Sequence, residues 1–389
     1  MEFSNYNLAD TILLFLLGML FLIQILYLII VYFRIHKHTN DVKKGKVTFS
    51  EELPPVSVII CANNETENLQ KNLPSVLEQD YPRFEVVVVN DSLSDESEDF
   101  LKRMENIYPH LYHTFTPDSS RYLSRKKLAI TIGIKASKYD WLVFTEADCT
   151  PSSKNWLRFM ARNFTEDTGI VLGYSGYLKG KGWLALKSNF DNLLGSMRYM
   201  GCALLGKPYM GKGRNMAYRK NFFFQKKGFS SHLNLQRGED NLFINEIVSP
   251  SNTRIETDKG AIVWMSPLKN KKDWTEEKLN EATTSRYLKG TQRYWMGGET
   301  FSRILFYILL ITCIVSSVLS HQWTMLGLSV LVFLVRYAVQ ITVFSQTSRD
   351  LDERCSILLL PLFDLLQPVY NFKYKMRSTF RKKEEYIRK

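Results

Sequence analysis

Glu146 and Asp148 close an apolar run, Trp141-Leu142-Val143-Phe144, and stand two residues apart. A short apolar run reads as a strand buried on both faces. Carboxylates at its carboxyl end fall where open α/β sheets bind ligands. Two carboxylates spaced i, i+2 can approach one divalent cation where the strand opens into a turn. Mg2+ and Mn2+ take a few carboxylate oxygens together with substrate phosphates. An acidic loop after a strand is the plain alternative, so the pair gains meaning from its company. Three further polar clusters fall at or near strand ends: Asn63-Asn64-Glu65, Asn90-Asp91, and Arg237-Gly238-Glu239-Asp240. Each has an ordinary explanation: a helix cap for Asn64 and Glu65, a turn at Asp91, a dipole-favoured first-turn acid at Asp240. Their convergence at one sheet edge favours a ligand crevice.

The elements that must position these acids alternate regularly. Strands are expected at Val56–Ala62, 84–89, Leu111–Phe115 and 141–144, and helices at Thr66–Leu77, Asp95–Ile107 and 124–137. Such alternation implies an α/β fold, a largely parallel sheet with helices on both faces. Later strands are expected at 170–177 and 260–265, and a long helix at 182–205. No G-x-G-x-x-G follows the first strand and no Walker A sequence is present. A bound diphosphate would then rely on a metal acting as Lewis acid rather than on a glycine-rich cradle.

The chain has 389 residues and a net charge of +12. Much of the basic excess sits beside apolar segments, at Lys43, Lys44, Lys46 and from Lys373 onward, which points to a membrane rather than to nucleic acid. The 5 cysteines include no C-x-x-C pair, and the 6 histidines form no H-E-x-x-H motif, which argues against a disulfide framework or a zinc site. Residues 11–33 carry no charge and are long enough to span a bilayer. Glu2 and Asp10 precede them, and Arg34, Lys37, Lys43, Lys44 and Lys46 follow, so a retained anchor is expected, with the next domain cytoplasmic. Residues 304–319 and 323–344 read as two more spans joined by Ser320, His321 and Gln322. Arg336 and Gln340 within the second could face other helices or the catalytic domain, because charge in lipid is costly. Residues 355–370 read as an interfacial or re-entrant segment before a basic tail. The expected organisation is an anchor over 1–34, a basic linker over 35–54, a cytoplasmic domain over 55–300, two spans over 301–345, and an interfacial or re-entrant segment with a cytoplasmic tail over 346–389.

The motifs together resemble membrane-bound family 2 inverting glycosyltransferases. Val56 to Glu65 resembles the opening strand with its terminal Asn-Glu pair, and Ser75 to Pro82 the helix end before the second strand. Val89-Asn90-Asp91-Ser92 resembles the segment whose Asp contacts the nucleotide base. Lys126, Ala129, Gly133 and Ile134 match Gly-Lys-x-x-Ala-Leu-x-x-Gly-Ile, with Arg125 in place of the first Gly. Glu146-Ala147-Asp148 resembles the metal-binding Asp-x-Asp motif, residues 213–219 the stretch before the acceptor helix, and Glu239-Asp240 the pair that supplies the base. Thr283-Thr284-Ser285-Arg286-Tyr287 is a degenerate Gln-x-x-Arg-Trp, and Gln292-Arg293-Tyr294-Trp295 is one residue short in its spacing.

The resemblance implies a GT-A domain, a Rossmann-like nucleotide-diphospho-sugar transferase fold, flanked by transmembrane helices in the inner or plasma membrane. It implies a donor, most simply a UDP-sugar, met by Asn64, Glu65, Asp91, Lys126 and Glu146. Mg2+ or Mn2+ would sit on Asp148. Asp240 would act as base, with Glu239 and Arg286 in support. The acceptor would be lipid-linked or a polysaccharide, with membrane lipid as a further partner. Two other readings compete: a scaffold that kept the fold and lost the chemistry, and a nucleotidyltransferase on a similar sheet. Joint retention of Asp91, Asp148 and Asp240 argues against the first, and the lack of a Gly-rich basic loop near the first strand against the second.

Overall fold

The strands that carry the acids end at one level. In the computed structural model, which describes residues 8–91, 95–117 and 124–380, β1 (Val56–Ala62) pairs in parallel with β2 (Phe84–Asn90) and with β4 (Trp141–Glu146). Cys61 lies opposite Glu146, and Ala62 opposite Asn90. The loops after these three strands therefore leave the sheet side by side. Ser92 and residues 381–389 of the basic tail lie outside the described residues.

The remaining strands are β3 (Leu111–Phe115), β5 (Cys149–Pro151), β6 (Ile170–Leu172), β7 (Ser175–Tyr177), β8 (Met216–Arg219), β9 (Thr253–Ile255) and β10 (Val263–Met265). The main sheet runs β3-β2-β1-β4-β8-β6-β9, and a small sheet runs β5-β10-β7. Strand alternation divides the core. Ile59, Leu142 and Phe144 face one hydrophobic layer, whereas Val58, Ile60 and Val143 face the other. Gly133 allows its helix, Arg125–Ala136, to sit close to the sheet, since a Cβ there would lie 2.8 Å from Ile59 Cγ2.

The main sheet is largely parallel, as expected, with β8 running antiparallel to both β4 and β6. Two expectations change. The single strand expected over 170–177 divides at Gly173 into members of two sheets. Asn215 fills the gap there, donating from Nδ2 to Tyr174 O (2.7 Å) and Ala261 O (2.8 Å), and its side chain leaves no room for a Cβ at Gly173. The stretch expected from Gly260 opens with a short 3-10 turn, Lys259–Ala261, and becomes a strand only from Val263.

Among the described residues, three helices are long and apolar enough to cross a membrane: the run Leu8–Lys43, Gln292–Leu319 and Trp323–Asp350. In the first, a π-helical turn at Leu28–Tyr32 separates Leu8–Tyr27 from Arg34–Lys43. The expected linker is thus helical for its first nine residues, to Lys43, and the chain breaks only at Gly45, φ +66. Leu28, Val31, Tyr32 and Ile35 are buried in the same cluster as Ile59 and Phe144, so one face of the end of the apolar run docks on the α/β domain, while Ile29 and Ile30 stay exposed. Residues 360–380 form a helix, Leu360–Phe380, packed against Lys271–Thr284 and Gln292–Leu319.

Candidate functional site

Lys126, in the first turn of the helix that packs on β1, joins two of the acidic motifs. Its Nζ donates to Glu146 Oε1 (2.6 Å) at the end of β4 and lies 3.1 Å from Glu239 Oε1. A cation in a helix's first turn opposes the helix dipole, so these carboxylates supply its compensation. Glu146 is held from its other side by Arg214 Nε (2.9 Å). Burial alone would raise the Glu146 pKa, but Lys126 and Arg214 outweigh it and hold the carboxyl well below its usual range. Arg214 also donates from Nη1 to Glu277 Oε1 (3.0 Å), which accepts through Oε2 from Tyr177 OH (2.7 Å).

Asp148 sits in the turn between β4 and β5. Asn72 fixes that turn by donating from Nδ2 to Ala147 O (2.8 Å) and accepting from Thr150 Oγ1 (2.9 Å). Asp148 Oδ1 accepts from the Cys149 thiol (3.3 Å), and ligand atoms of Glu146, Asp148 and Cys149 lie within 4.8 Å of one another. Burial, then the neighbouring Glu146 charge, push the Asp148 carboxyl above its usual range. Glu65, which opens the helix Thr66–Leu77, accepts from Asn68 and is raised by burial, with Asp148 and Glu146 adding to the shift. These acids repel one another, as carboxylates gathered for a cation do.

Glu239 and Asp240 stand where the loop after Gly238 enters the helix Asn241–Ile247. Asp240 caps that helix, accepting from Asn241 N (2.6 Å) through Oδ1 and from Gly213 N (3.1 Å) through Oδ2. The helix-start role is therefore real. Burial and the Glu239 charge nevertheless raise the Asp240 carboxyl above its usual range. Glu239 is buried, and its Oε2 makes no hydrogen bond among the described residues. A cavity of about 420 Å³, part of it open to solvent, is lined by Cys61, Lys126, Glu146, Gly213, Glu239 and Asp240, among others.

Asp91 is buried at the end of β2. Its Oδ2 accepts from Asn63 Nδ2 (2.8 Å), and its Oδ1 accepts from Arg125 Nε (2.8 Å) and from Thr116. Arg125, the departure from the family's glycine, thus serves Asp91. Asn64 is exposed and left-handed, φ +53, and forms the bend after β1.

The structure brings Glu65, Lys126, Glu146, Asp148, Glu239 and Asp240 together and sets Asp91 at the neighbouring strand end. It does not bring Arg286. Expected beside a departing diphosphate, Arg286 instead donates from Nη2 to Lys375 O (2.8 Å), Ser378 Oγ (2.7 Å) and Thr379 in the last turns of Leu360–Phe380. Ser378 and Thr379 hydroxyls also donate to Lys375 O, so the guanidinium joins a polar cluster on that helix. Arg214, Glu277 and Asn72 were missed. Arg214 reaches Glu146 because β8 runs antiparallel to β4 with Met216 opposite Phe144, a pairing no local pattern announces.

Residues 57–229 match the family described as Glycosyl transferase family 2. The chain carries a family 2 glycosyltransferase domain. Glycosyltransferase AglE of Haloferax volcanii is 34% identical over 108 residues, 27% of this chain and 34% of that protein. Poly-beta-1,6-N-acetyl-D-glucosamine synthase of Staphylococcus aureus is 25% identical over 125 residues, 32% of this chain and 29% of that protein. The chain thus matches about a third of the length of these curated relatives. Among solved structures, the mannosyltransferase PcManGT from Pyrobaculum calidifontis superposes with a TM-score of 0.53 at 15% identity, covering 94% of this chain and 99% of that one. That likeness establishes the GT-A fold.

Proposed function

We propose that this chain transfers a sugar, with inversion, from a nucleotide-diphospho-sugar to a hydroxyl acceptor in the synthesis of a cell-surface polysaccharide or glycolipid. The observation that carries the reading is Lys126, which ties Glu146 at one end of the cleft to the Glu239-Asp240 pair at the other. Inversion needs a base that removes the acceptor hydroxyl proton as the oxygen attacks the anomeric carbon. Asp240 is suited to this, because its raised pKa strengthens it as a base, and a positioned general base contributes about 100- to 10,000-fold. Glu239 orients the acceptor through its free Oε2.

The acids fit a divalent cation. Asp148 has no ion-pair partner among the described residues, its charge is disfavoured without a cation, and Glu146 lies beside it. Asp148, with Glu146 assisting, would hold Mg2+ or Mn2+, which when bound neutralises the donor diphosphate. PcManGT was solved with GDP-Man and Mn2+, in keeping with this reading. Arg214 takes the cationic place first expected of Arg286, and Asp91 with Arg125 faces the nucleotide base. The α/β domain lies on the cytoplasmic side, given the basic residues that follow the first span.

The test is Asp240→Asn, which keeps the helix cap through Oδ1, gives up the Gly213 N–H bond at the other position, and cannot take a proton. Transfer should fall at least 100-fold while donor affinity, read by calorimetry, stays within about twofold. Transfer at the parent rate would remove Asp240 from the chemistry.

A further inference from the structure

A buried polar ladder fixes how deep the last helix sits. Asp364 accepts from Arg303 Nη1 (2.8 Å), Arg336 Nη2 (2.8 Å) and Tyr307 OH (2.8 Å). Arg336 Nη2 also donates to Gln24 Oε1 (3.0 Å), and Arg303 Nη2 to Gln367 Oε1 (2.7 Å). The ladder crosses all three spanning helices. At about 1.5 Å per residue, Gln24 lies about 24 Å from the Leu8 end, Arg303 about 24 Å from Leu319, and Arg336 about 20 Å from Trp323. These three ends share the face of the bundle remote from the α/β domain. Across a hydrocarbon layer about 30 Å thick, the ladder lies within about 6–10 Å of the edge nearest that domain. The helix Leu360–Phe380, gripped through Asp364 and Gln367, is held at that edge.

Its opposite face is exposed. Leu362, Leu366, Val369, Phe372 and Met376 follow helical spacing, and Val369 and Phe372 are 60% and 64% exposed. Beside the helix, the loop 178–182 leads into Trp183, the first residue of the helix Trp183–Leu204, half exposed and with its ring 5.0 Å from that of Phe363. Exposed lysines flank both: Lys179 and Lys181 on the loop, Lys373 within the helical stripe. An apolar stripe, an amphipathic tryptophan and flanking lysines at this depth suit the headgroup boundary of a leaflet rich in acidic lipid.

We propose that the helix Leu360–Phe380 and residues 178–183 form one surface that lies in the headgroup region of an acidic leaflet, on the side of the α/β domain. The apolar stripe meets acyl chains and the three lysines meet lipid phosphates. The surface does not depend on the transfer reaction.

The test places photoreactive p-benzoylphenylalanine at Val369 or Trp183 of the full chain. The variants are held in nanodiscs of phosphatidylcholine, alone or mixed with phosphatidylglycerol. Leu331, 55% exposed on a spanning helix, is the positive control, and Tyr112 on the edge strand β3 the negative one. Lipid adducts are expected at Val369 and Trp183, with phosphatidylglycerol favoured in the mixture. Replacing Lys179, Lys181 and Lys373 together with Gln should cut that preference about fivefold or more, with the elution volume and melting temperature of the parent retained. Absence of lipid adducts at either position, while Leu331 gives them, overturns the surface. Equal adducts with both lipids, or a preference untouched by the triple variant, overturns its acidic partner.

Discussion

Lys126→Met removes the cation that two motifs share. Glu146 keeps Arg214 at 2.9 Å, but Glu239, 3.1 Å from Lys126 and buried, loses its ion-pair partner. Stranding one member of a buried pair costs about 3–5 kcal/mol. The Lys126 side chain is 32% exposed, so solvent screening holds the cost to the low end, about 3 kcal/mol. That is roughly 6–12 °C in melting temperature for a domain of about 150–250 residues. Lys126 also lowers the pKa values of both Glu239 and Asp240, so without it the pair takes up a proton at higher pH. A protonated base cannot accept the acceptor's proton, so the acid limb of the kcat profile should move to higher pH. The stability effect has its own pH signature. Glu146 and Glu239 are depressed in the folded chain, so their contribution is full above the unfolded carboxylate value, about 4.3, and is lost as pH falls through the lower folded value. The gap in melting temperature between parent and variant should therefore be widest near neutrality and narrow below about pH 4. The assay pairs thermal unfolding with transfer rates across pH. A variant that melts with the parent and keeps its acid limb would refute the shared-cation argument.

Three further outcomes follow from particular contacts. Asp148→Asn should raise the melting temperature in chelator, because burial and Glu146 penalise the native charge, and should abolish both the melting shift on adding Mn2+ and turnover; a variant that melts lower in chelator would contradict that penalty. Gly201→Ala places a Cβ 2.3 Å from Val31 O, so the first helix must shift off Trp183–Leu204, with an expected loss of about 1–3 kcal/mol in chemical unfolding; an unchanged unfolding midpoint would place that helix elsewhere. A cysteine-reactive probe applied outside intact cells should label a cysteine at His321 and spare one at Lys44, and labelling at Lys44 would reverse the topology.

Local patterns settled a good part of the molecule. The first three strands, the helices between them, and the polar clusters at their carboxyl ends were legible because burial on both faces writes continuous apolar runs and caps write polar punctuation. Glu65, Lys126, Glu146, Asp148, Glu239 and Asp240 could be named for the same reason, together with the motif order. Short strands were not legible: β5, β8 and β9 have three or four residues and no period of their own. They exist because strands distant in the chain supply their hydrogen bonds: β10 for β5, β4 and β6 for β8, and β6 for β9.

Partner choice was also beyond local reading. The run from Thr11 to Phe33 announces hydrophobicity but not which neighbour covers it, and its last residues turned out to lie against Ile59's layer. Arg286 sits in a basic, aromatic context that fits a diphosphate in one dimension. Only the packing of Leu360–Phe380 against Lys271–Thr284 sends its guanidinium to Lys375 and Ser378 and leaves Arg214 beside Glu146. The sequence by itself determined which acids the chain brings to a sheet edge, since strand and cap signals act over a few residues. Tertiary structure decided which cations meet them, because an ion pair depends on strand register and helix docking between residues far apart in the chain.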